Sequence, residues 1–157
     1  MVLDNLKKRL HLGSGKPGKR LAVFVDGPNI LRKEFSIDLR EVKKSLAPFG
    51  QIKVGRVFLN QFASQKLVEA CNNQGFESII TVGDVDVAMA VDATETIFNP
   101  MIDGIVWVTR DSDFLPSLIK AKRYGKDTIV VLVDESAAAA LKNSADFVVV
   151  LKKFGGA

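Results

Sequence analysis

Two aspartates separated by a single serine, Asp111 and Asp113, come directly after a run of β-branched and aromatic residues at 106–109. That run predicts a buried strand, and a helical pattern begins at Phe114, so both carboxylates are expected on the turn between a strand and a helix. In open α/β sheets, ligands bind in the crevice outside the carboxyl ends of the strands. Aspartate and serine are also common helix caps, so capping alone would explain one of these acids. A chemical role therefore depends on which other groups reach the same crevice.

A further carboxylate, Asp26, follows the first clear strand pattern. Residues 20–30 contain a continuous apolar run that ends at Asp26, after which Gly27 and Pro28 turn the chain. A continuous apolar run is typical of a strand covered on both faces, as in a parallel sheet. Asp26 is therefore expected at the carboxyl end of a strand.

Asp86 lies near the start of another helical pattern, residues 84–98, which follows the third predicted strand. An acid at that position could face the top of the sheet, whereas Asp84 is more readily explained as the helix cap. Asp92 lies six residues after Asp86. At about 100° per residue the two side chains do not share a helix face, so one rigid helix would not direct both at one ion. Asp86 is the better candidate, and Asp92 is expected to bond nearby backbone or to contact solvent.

If the first and fourth strands are neighbours, four carboxylates face one crevice. Acids that cluster without compensation repel and raise one another's pKa, so such a group is partly protonated or neutralised by a cation. Oxygen ligands without histidine or cysteine favour Mg²⁺ or Mn²⁺, and such ions can activate water and stabilise the leaving oxygen of a phosphodiester. Asn29 could orient a carboxylate, a water molecule or a phosphate, and Ser112 could do the same or only cap. The candidate metal ligands are Asp26, Asp86, Asp111 and Asp113.

Strand and helix patterns alternate along the chain, which indicates an α/β fold: a three-layer α/β/α sandwich with a mostly parallel sheet. The strand patterns cover residues 20–30, 52–60, 76–82, 102–109, 126–134 and 145–153. After a short helical segment at Asn29, the helical patterns cover residues 36–48, 62–75, 84–98, 112–124 and 135–143. Residues 1–19 are set apart: apolar spacing over 2–12 predicts an amphipathic helix, and 13–19 read as a flexible basic linker. The predicted domain is therefore 20–157.

The composition, 47% hydrophobic and 25% charged over 157 residues, is that of one soluble globular domain. No apolar run approaches the roughly 20 residues of a membrane helix, and the first residues lack the core of a secretory signal, so a cytoplasmic location is expected. The single cysteine, Cys71, excludes an internal disulfide and a cysteine zinc cage. With His11 as the only histidine, acid and base chemistry falls to carboxylates, lysines or metal-activated water.

Basic residues outnumber acidic ones by 22 to 18, and their distribution is more informative than the net charge of +4. They form three groups: Lys7, Lys8, Arg9, Lys16, Lys19 and Arg20; Arg32 and Lys33; and Lys120, Lys122, Arg123 and Lys126. A basic rim around an acidic pocket would suit a polyanion held for metal-assisted attack, although solvated helix faces explain the same residues. Apolar helix faces and the separate N-terminal segment are compatible with a homodimer.

Three segments, VFVDGPNI, GDVDVAMAVDA and VTRDSDF, resemble in order and spacing the three signatures of NYN domains, the LabA/DUF88 branch of the PIN-like nuclease superfamily. The likeness extends over roughly residues 20–152. It implies a PIN-like α/β/α fold and metal-dependent cleavage of RNA. The acids that match the family's acidic positions are Asp26, Asp86, Asp111 and Asp113, and Asn29 matches the asparagine of the first motif.

The chain departs from that pattern at two places. Many relatives have Lys-Gly where this chain has Gly83-Asp84, and Ser-Gly where it has Thr109-Arg110. The missing lysine leaves the site more acidic, and Arg110 offsets part of that charge. The residues that could contact substrate are Arg110, Ser112, Arg32 and Lys33. Neither departure removes an acidic ligand, so the favoured function is a Mg²⁺- or Mn²⁺-dependent endoribonuclease.

The main alternative is a non-catalytic RNA-binding or protein-interaction module that keeps the fold. Other phosphoryl-transfer enzymes are disfavoured. A phosphatase of the haloacid dehalogenase type requires Asp-x-Asp on its first strand, where this chain has Asp26-Gly27-Pro28. A Toprim domain expects a glutamate at the end of its first strand, a position that Asp26 occupies here.

Overall fold

The computed structural model describes residues 18–31 and 38–151, and six strands in these ranges form one sheet. All five strand pairings are parallel, which confirms the predicted α/β class. The strands are β1 (Arg20–Asp26), β2 (Gln51–Asn60), β3 (Glu77–Thr81), β4 (Gly104–Val108), β5 (Asp127–Leu132) and β6 (Phe147–Val150). The helices between them are α1 (Gly27–Ile30), α2 (Leu39–Leu46), α3 (Gln65–Asn73), α4 (Val85–Thr96), α5 (Leu115–Arg123) and α6 (Ala139–Ser144).

The strand order is β3-β2-β1-β4-β5-β6, so the order reverses between β1 and β4. These two strands are hydrogen-bonded neighbours, with Val25 level with Val108 at their carboxyl ends. The chain leaves β1 and β4 toward opposite halves of the sheet, which opens a crevice between the loops that follow them. The adjacency on which the predicted acidic crevice depends is therefore present.

Apolar side chains cover both faces of the sheet, because alternate residues of each strand point to opposite sides. In β1, Val23 and Val25 pack with Val42 of α2 and Cys71 of α3, whereas Phe24 faces the other way. The second face packs against helices α4, α5 and α6, through residues that include Met89, Leu118 and Leu141. Two helical layers around one sheet give the three-layer sandwich that the alternation predicted.

One predicted helix is shorter than its sequence indicated. Alanine content predicted a helix over residues 135–143, but α6 begins only at Ala139. The carboxylate of Asp134 accepts hydrogen bonds from the backbone N–H and the hydroxyl of Ser136, at 2.9 and 2.8 Å, and Ala138 adopts a left-handed backbone with φ of 54°. A side chain that bonds local backbone competes with the first helical turn, and this outweighs the propensity of alanine.

The predicted N-terminal helix over 2–12 and most of the predicted linker lie outside the described residues, which begin at Gly18. Of the first basic group, Lys19 and Arg20 are described and form ion pairs with Asp127 and Asp103; its other members lie outside the described residues. Among the described helices, none combines the length and apolar character needed to span a bilayer.

Candidate active site

The last residue of β1, Asp26, is fully buried at the switch between β1 and β4. The chain turns directly into α1 at Gly27, where a Cβ atom would lie 2.5 Å from the carbonyl oxygen of Phe58 in β2. Only glycine allows that close approach of two backbones. The Asp-Gly sequence thus ends the strand and turns the chain at the same point.

Thr109 connects the ends of β1 and β4. Its side chain is fully buried, and its hydroxyl donates a hydrogen bond to Oδ2 of Asp26 at 3.0 Å. The same hydroxyl oxygen accepts a hydrogen bond from the backbone N–H of Asp111 at 3.1 Å. One side chain therefore fixes the buried carboxylate of one strand to the acidic turn that follows the other.

The acidic turn after β4 is held by its own side chains. The Oδ1 atom of Asp111 accepts a hydrogen bond from the backbone N–H of Asp113 at 2.9 Å, capping the short 3-10 helix Ser112–Phe114 that leads into α5. The capping explanation for Asp111 is thus correct, and it uses one of two carboxylate oxygens. A capping role and a role as metal ligand are compatible for this side chain.

A similar turn positions Asp86 at the start of α4. Gly83 has φ of 97°, a left-handed conformation that favours glycine, and the next residue, Asp84, accepts a hydrogen bond on Oδ1 from the backbone N–H of Asp86 at 2.9 Å. Because Asp84 caps the helix, the side chain of Asp86 remains available to the crevice.

Three carboxylates converge there. Asp86, Asp111 and Asp113 each offer an oxygen, and these three atoms lie within 4.8 Å of one another. Partial burial, a hydrogen bond with Asp111 and the nearby charges of Asp26, Asp111 and Asp84 together raise the pKa of Asp86 from 3.8 to about 7. In the described part of the chain, no lysine or arginine forms an ion pair with any of the three. Among the described residues, the cluster is therefore a set of mutually repelling acids with no ion-paired lysine or arginine.

The cluster fits a small divalent cation. Oxygen ligands at about 2.1 Å from one Mg²⁺ ion are up to about 4.2 Å apart, so three oxygens within 4.8 Å can converge on one ion through small side-chain rotations. All three donors are carboxylate oxygens, which are the ligands that Mg²⁺ and Mn²⁺ prefer. Asp26 is not one of the three; it lies buried beside them, near enough to affect the pKa of Asp86.

Comparison with known proteins gives the family and agrees with the fold. A family model for the NYN domain matches residues 20–152. The chain belongs to the NYN domain family. A curated relative, the uncharacterized protein MJ0482 of Methanocaldococcus jannaschii, is 58% identical over 130 residues, which are 83% of this chain and 54% of that protein. The chain therefore spans about half the length of this relative.

The fold of this NYN domain is shared with a solved structure. The crystal structure of VPA0982, a protein of unknown function from Vibrio parahaemolyticus, has a TM-score of 0.77 at 20% identity, covering 88% of this chain and 96% of that one. At that identity the likeness concerns the fold alone. The family match itself implies the PIN-like nuclease superfamily, whose members are in general hydrolases that depend on divalent ions.

The other residues predicted for the site of this NYN domain do not all lie at the acidic cluster. Ser112 and Arg110 lie on the acidic turn, both partly buried. Asp92 is not one of the converging acids; it lies further along α4 and forms an ion pair with Arg56 of β2 at 2.7 Å. The side chain of Asn29 and residues 32–37, which include Arg32 and Lys33, lie outside the described residues, so their roles stay predictions.

No role was predicted for Thr109, which stood out in the sequence only as a departure from a family pattern. The sequence did contain a signal for such a role, because a residue with a hydroxyl group stands directly between a buried strand and an acidic turn.

We expect Thr109→Val to destabilise the fold by about 2 kcal/mol, since it removes a hydrogen bond to a buried carboxylate. Urea unfolding at pH 8 measures this loss. Thr109→Ser keeps the hydroxyl and should recover most of it; a loss in Thr109→Ser without one in Thr109→Val, which keeps the methyl group, would mean that packing of the methyl group, not the hydrogen bond, matters.

Proposed function

We propose that this NYN domain is an endoribonuclease that hydrolyses RNA phosphodiester bonds with the help of Mg²⁺ or Mn²⁺. The observation that supports it best is the convergence of Asp86, Asp111 and Asp113 within 4.8 Å at the switch point of the sheet, with no basic partner among the described residues. A purely structural acidic cluster would be expected to carry arginine or lysine partners, because unpaired acids that approach one another cost stability.

In this proposal Asp86, Asp111 and Asp113 are the residues that hold the ion. When bound, it supplies Lewis-acid stabilisation of the phosphate and an activated water molecule. When no cation is present, Asp86 holds a proton up to a pKa of about 7, a value to which its hydrogen bond with Asp111 contributes. Near neutral pH this proton is easily lost, so the carboxylates are ready to take up a cation.

Other residues of the chain position the cluster and the substrate. Asp26 and Thr109 form a buried hydrogen-bonded support beneath the acidic turn, which restricts the movement of Asp111. Arg110 and Ser112, on the same turn, are proposed to contact the phosphate. Asn29, Arg32 and Lys33 follow β1 in the sequence and are proposed for the same task. NYN nucleases act on RNA, so RNA is the substrate class that we propose.

The test is cleavage of a mixed panel of RNAs by the purified protein with Mn²⁺, with Mg²⁺ and with EDTA. We expect cleavage that EDTA stops and that added Mn²⁺ restores. The products should carry no 2′,3′-cyclic phosphate, because water rather than the 2′-hydroxyl attacks the phosphate. Cleavage that persists in EDTA would contradict the proposal. Binding of RNA without any cleavage would select a non-catalytic RNA-binding module instead.

A further inference from the structure

Two large apolar side chains near the acidic cluster are almost fully exposed. Phe62 and Val82 are each 84% exposed, whereas the other exposed large hydrophobic side chains in the described residues are between 39% and 62% exposed. Single apolar residues on a surface need no special explanation. These two are more exposed than the others, and both follow strands at the carboxyl end of the sheet.

Both residues lie at the carboxyl end of the sheet, on neighbouring strands. Asn60 and Thr81, which end β2 and β3, are paired in the sheet, and Phe62 and Val82 follow them by two residues and one residue. Phe62 leads into α3, which packs on one face of the sheet, whereas Val82 leads into α4, which packs on the other. The two side chains therefore flank the top of the sheet from both sides.

The acidic cluster lies next to this pair. β2 is the direct neighbour of β1, and Phe58 of β2 is level with Asp26. Adjacent strands are about 4.8 Å apart, so the loop that carries Phe62 rises one strand away from the buried end of β1. On the other side, Val82 precedes Asp86 by four residues across the turn at Gly83.

The backbone that carries Phe62 is well fixed. The Oδ1 atom of Asn60 accepts a hydrogen bond from the N–H of Phe62 at 2.9 Å, and the carbonyl of Asn60 accepts one from Ala63 at 3.1 Å. Ser64 then caps α3, with its hydroxyl oxygen accepting from the N–H of Leu67 at 3.1 Å. A rigid turn presents an aromatic ring to solvent, so little conformational entropy would be lost when a ligand covers it.

We propose that Phe62 is a stacking platform for an unpaired base of single-stranded RNA whose phosphate enters the acidic cluster. Every base offers a flat π-face to an aromatic ring, whereas bases inside a duplex are covered by their neighbours. Lys66, exposed in the first turn of α3, lies four residues from Phe62 and can contact the adjoining phosphate. The inference rests on the proposed function and assigns to Phe62 the binding of an unpaired base of its substrate.

The test is the affinity of the full chain for an end-labelled single-stranded oligoribonucleotide with Ca²⁺ in place of Mg²⁺ or Mn²⁺, with a 2-aminopurine base to report stacking and a gel to verify that the RNA stays intact. Phe62→Ala should weaken binding by about 5- to 150-fold, the range found for loss of one base–aromatic stack. Phe62→Trp should stay within about twofold of wild type. The matched control is Phe98→Ala, which removes a 57% exposed phenylalanine that follows α4 at the opposite end of the sheet and should change nothing.

Several outcomes would overturn the platform. These are absence of single-stranded RNA binding by the wild type, equal binding by Phe62→Ala, an equal loss in Phe98→Ala, and an equal loss of blunt-ended duplex binding. Self-association of the wild type that Phe62→Ala abolishes would assign the patch to a second copy instead. Hydrolysis of bis(p-nitrophenyl) phosphate with Mn²⁺ tests the acidic cluster separately, because this diester has no base to stack. If that hydrolysis is absent but RNA binding depends on Phe62, the proposed nuclease function fails and the platform stands.

Discussion

Replacement of Asp111 by asparagine is expected to reduce divalent-dependent RNA cleavage by about 100- to 1000-fold, the scale of losing one well-placed electrostatic contribution to a transition state. Asparagine keeps the side-chain oxygen that accepts the hydrogen bond from the N–H of Asp113, so the acidic turn should remain folded. What is lost is one negative charge of the three that face a common point. Initial cleavage rates at equal Mn²⁺ concentration measure the effect.

Asp84→Asn is the matched control for this variant. Asp84 lies on the same rim and caps α4 through the backbone N–H of Asp86, a bond that asparagine also makes, but it is not one of the three converging acids. We expect its rate to remain within about threefold of wild type, since only a capping role is involved. Equal losses in the two variants would show that general negative charge at this rim, and not a specific set of ligands, supports the activity.

Addition of Mn²⁺ at 100 times its dissociation constant is expected to raise the free energy of unfolding by about 2.7 kcal/mol. For a chain of 157 residues this corresponds to a rise in melting temperature of roughly 5–10 °C. Asp86→Asn should show little of this gain, because one ligand is replaced by a neutral amide. Thermal denaturation with Mn²⁺ and with EDTA measures both. A full shift in Asp86→Asn would place the ion elsewhere.

In EDTA, the stability that Asp86 contributes should fall as the pH rises, whereas the stability contributed by an ion-paired acid rises with pH. The folded-state pKa of Asp86, about 7, lies above the ordinary value of 3.8, so between these values the folded protein binds more protons than the unfolded chain. The contribution of this group to stability is therefore full below pH 4 and is lost as the pH rises toward 7. Solvent screening at this half-buried site limits the size of that contribution to stability.

Asp86→Asn tests that sign directly, because an amide does not titrate. In EDTA at pH 8 the variant should be more stable than wild type, and at pH 4 the two should be nearly equal. Urea unfolding at both pH values measures the difference. If the variant were less stable at pH 8, the acid would be making a favourable interaction that the like charges around it do not explain.

The fold was largely predictable from local patterns. Continuous apolar runs such as residues 20–26 can only be buried on both faces, and their alternation with helices leaves few arrangements other than a parallel sheet between helical layers. The helical repeat also predicted that Asp86 and Asp92 point in different directions, and the structure agrees. Asp92 pairs with Arg56, a partner that no local pattern indicated.

The details of the site were less predictable, because they depend on pairings between distant parts of the chain. That β1 lies beside β4 is a contact between residues about 80 positions apart, and the resemblance to NYN domains supported it better than any periodicity. The bridge from Thr109 to Asp26 requires that adjacency. The exposure of Phe62 was also unpredictable, because a phenylalanine at the start of a helical pattern is more often part of the core.

The central claim is that Asp86, Asp111 and Asp113 bind one divalent cation together, and anomalous diffraction from a crystal soaked in Mn²⁺ tests it most directly. The predicted result is a manganese peak contacted by oxygens of all three carboxylates, absent from crystals of Asp111→Asn. Anomalous density only at other acidic surface sites, with the three side chains turned apart, would contradict it.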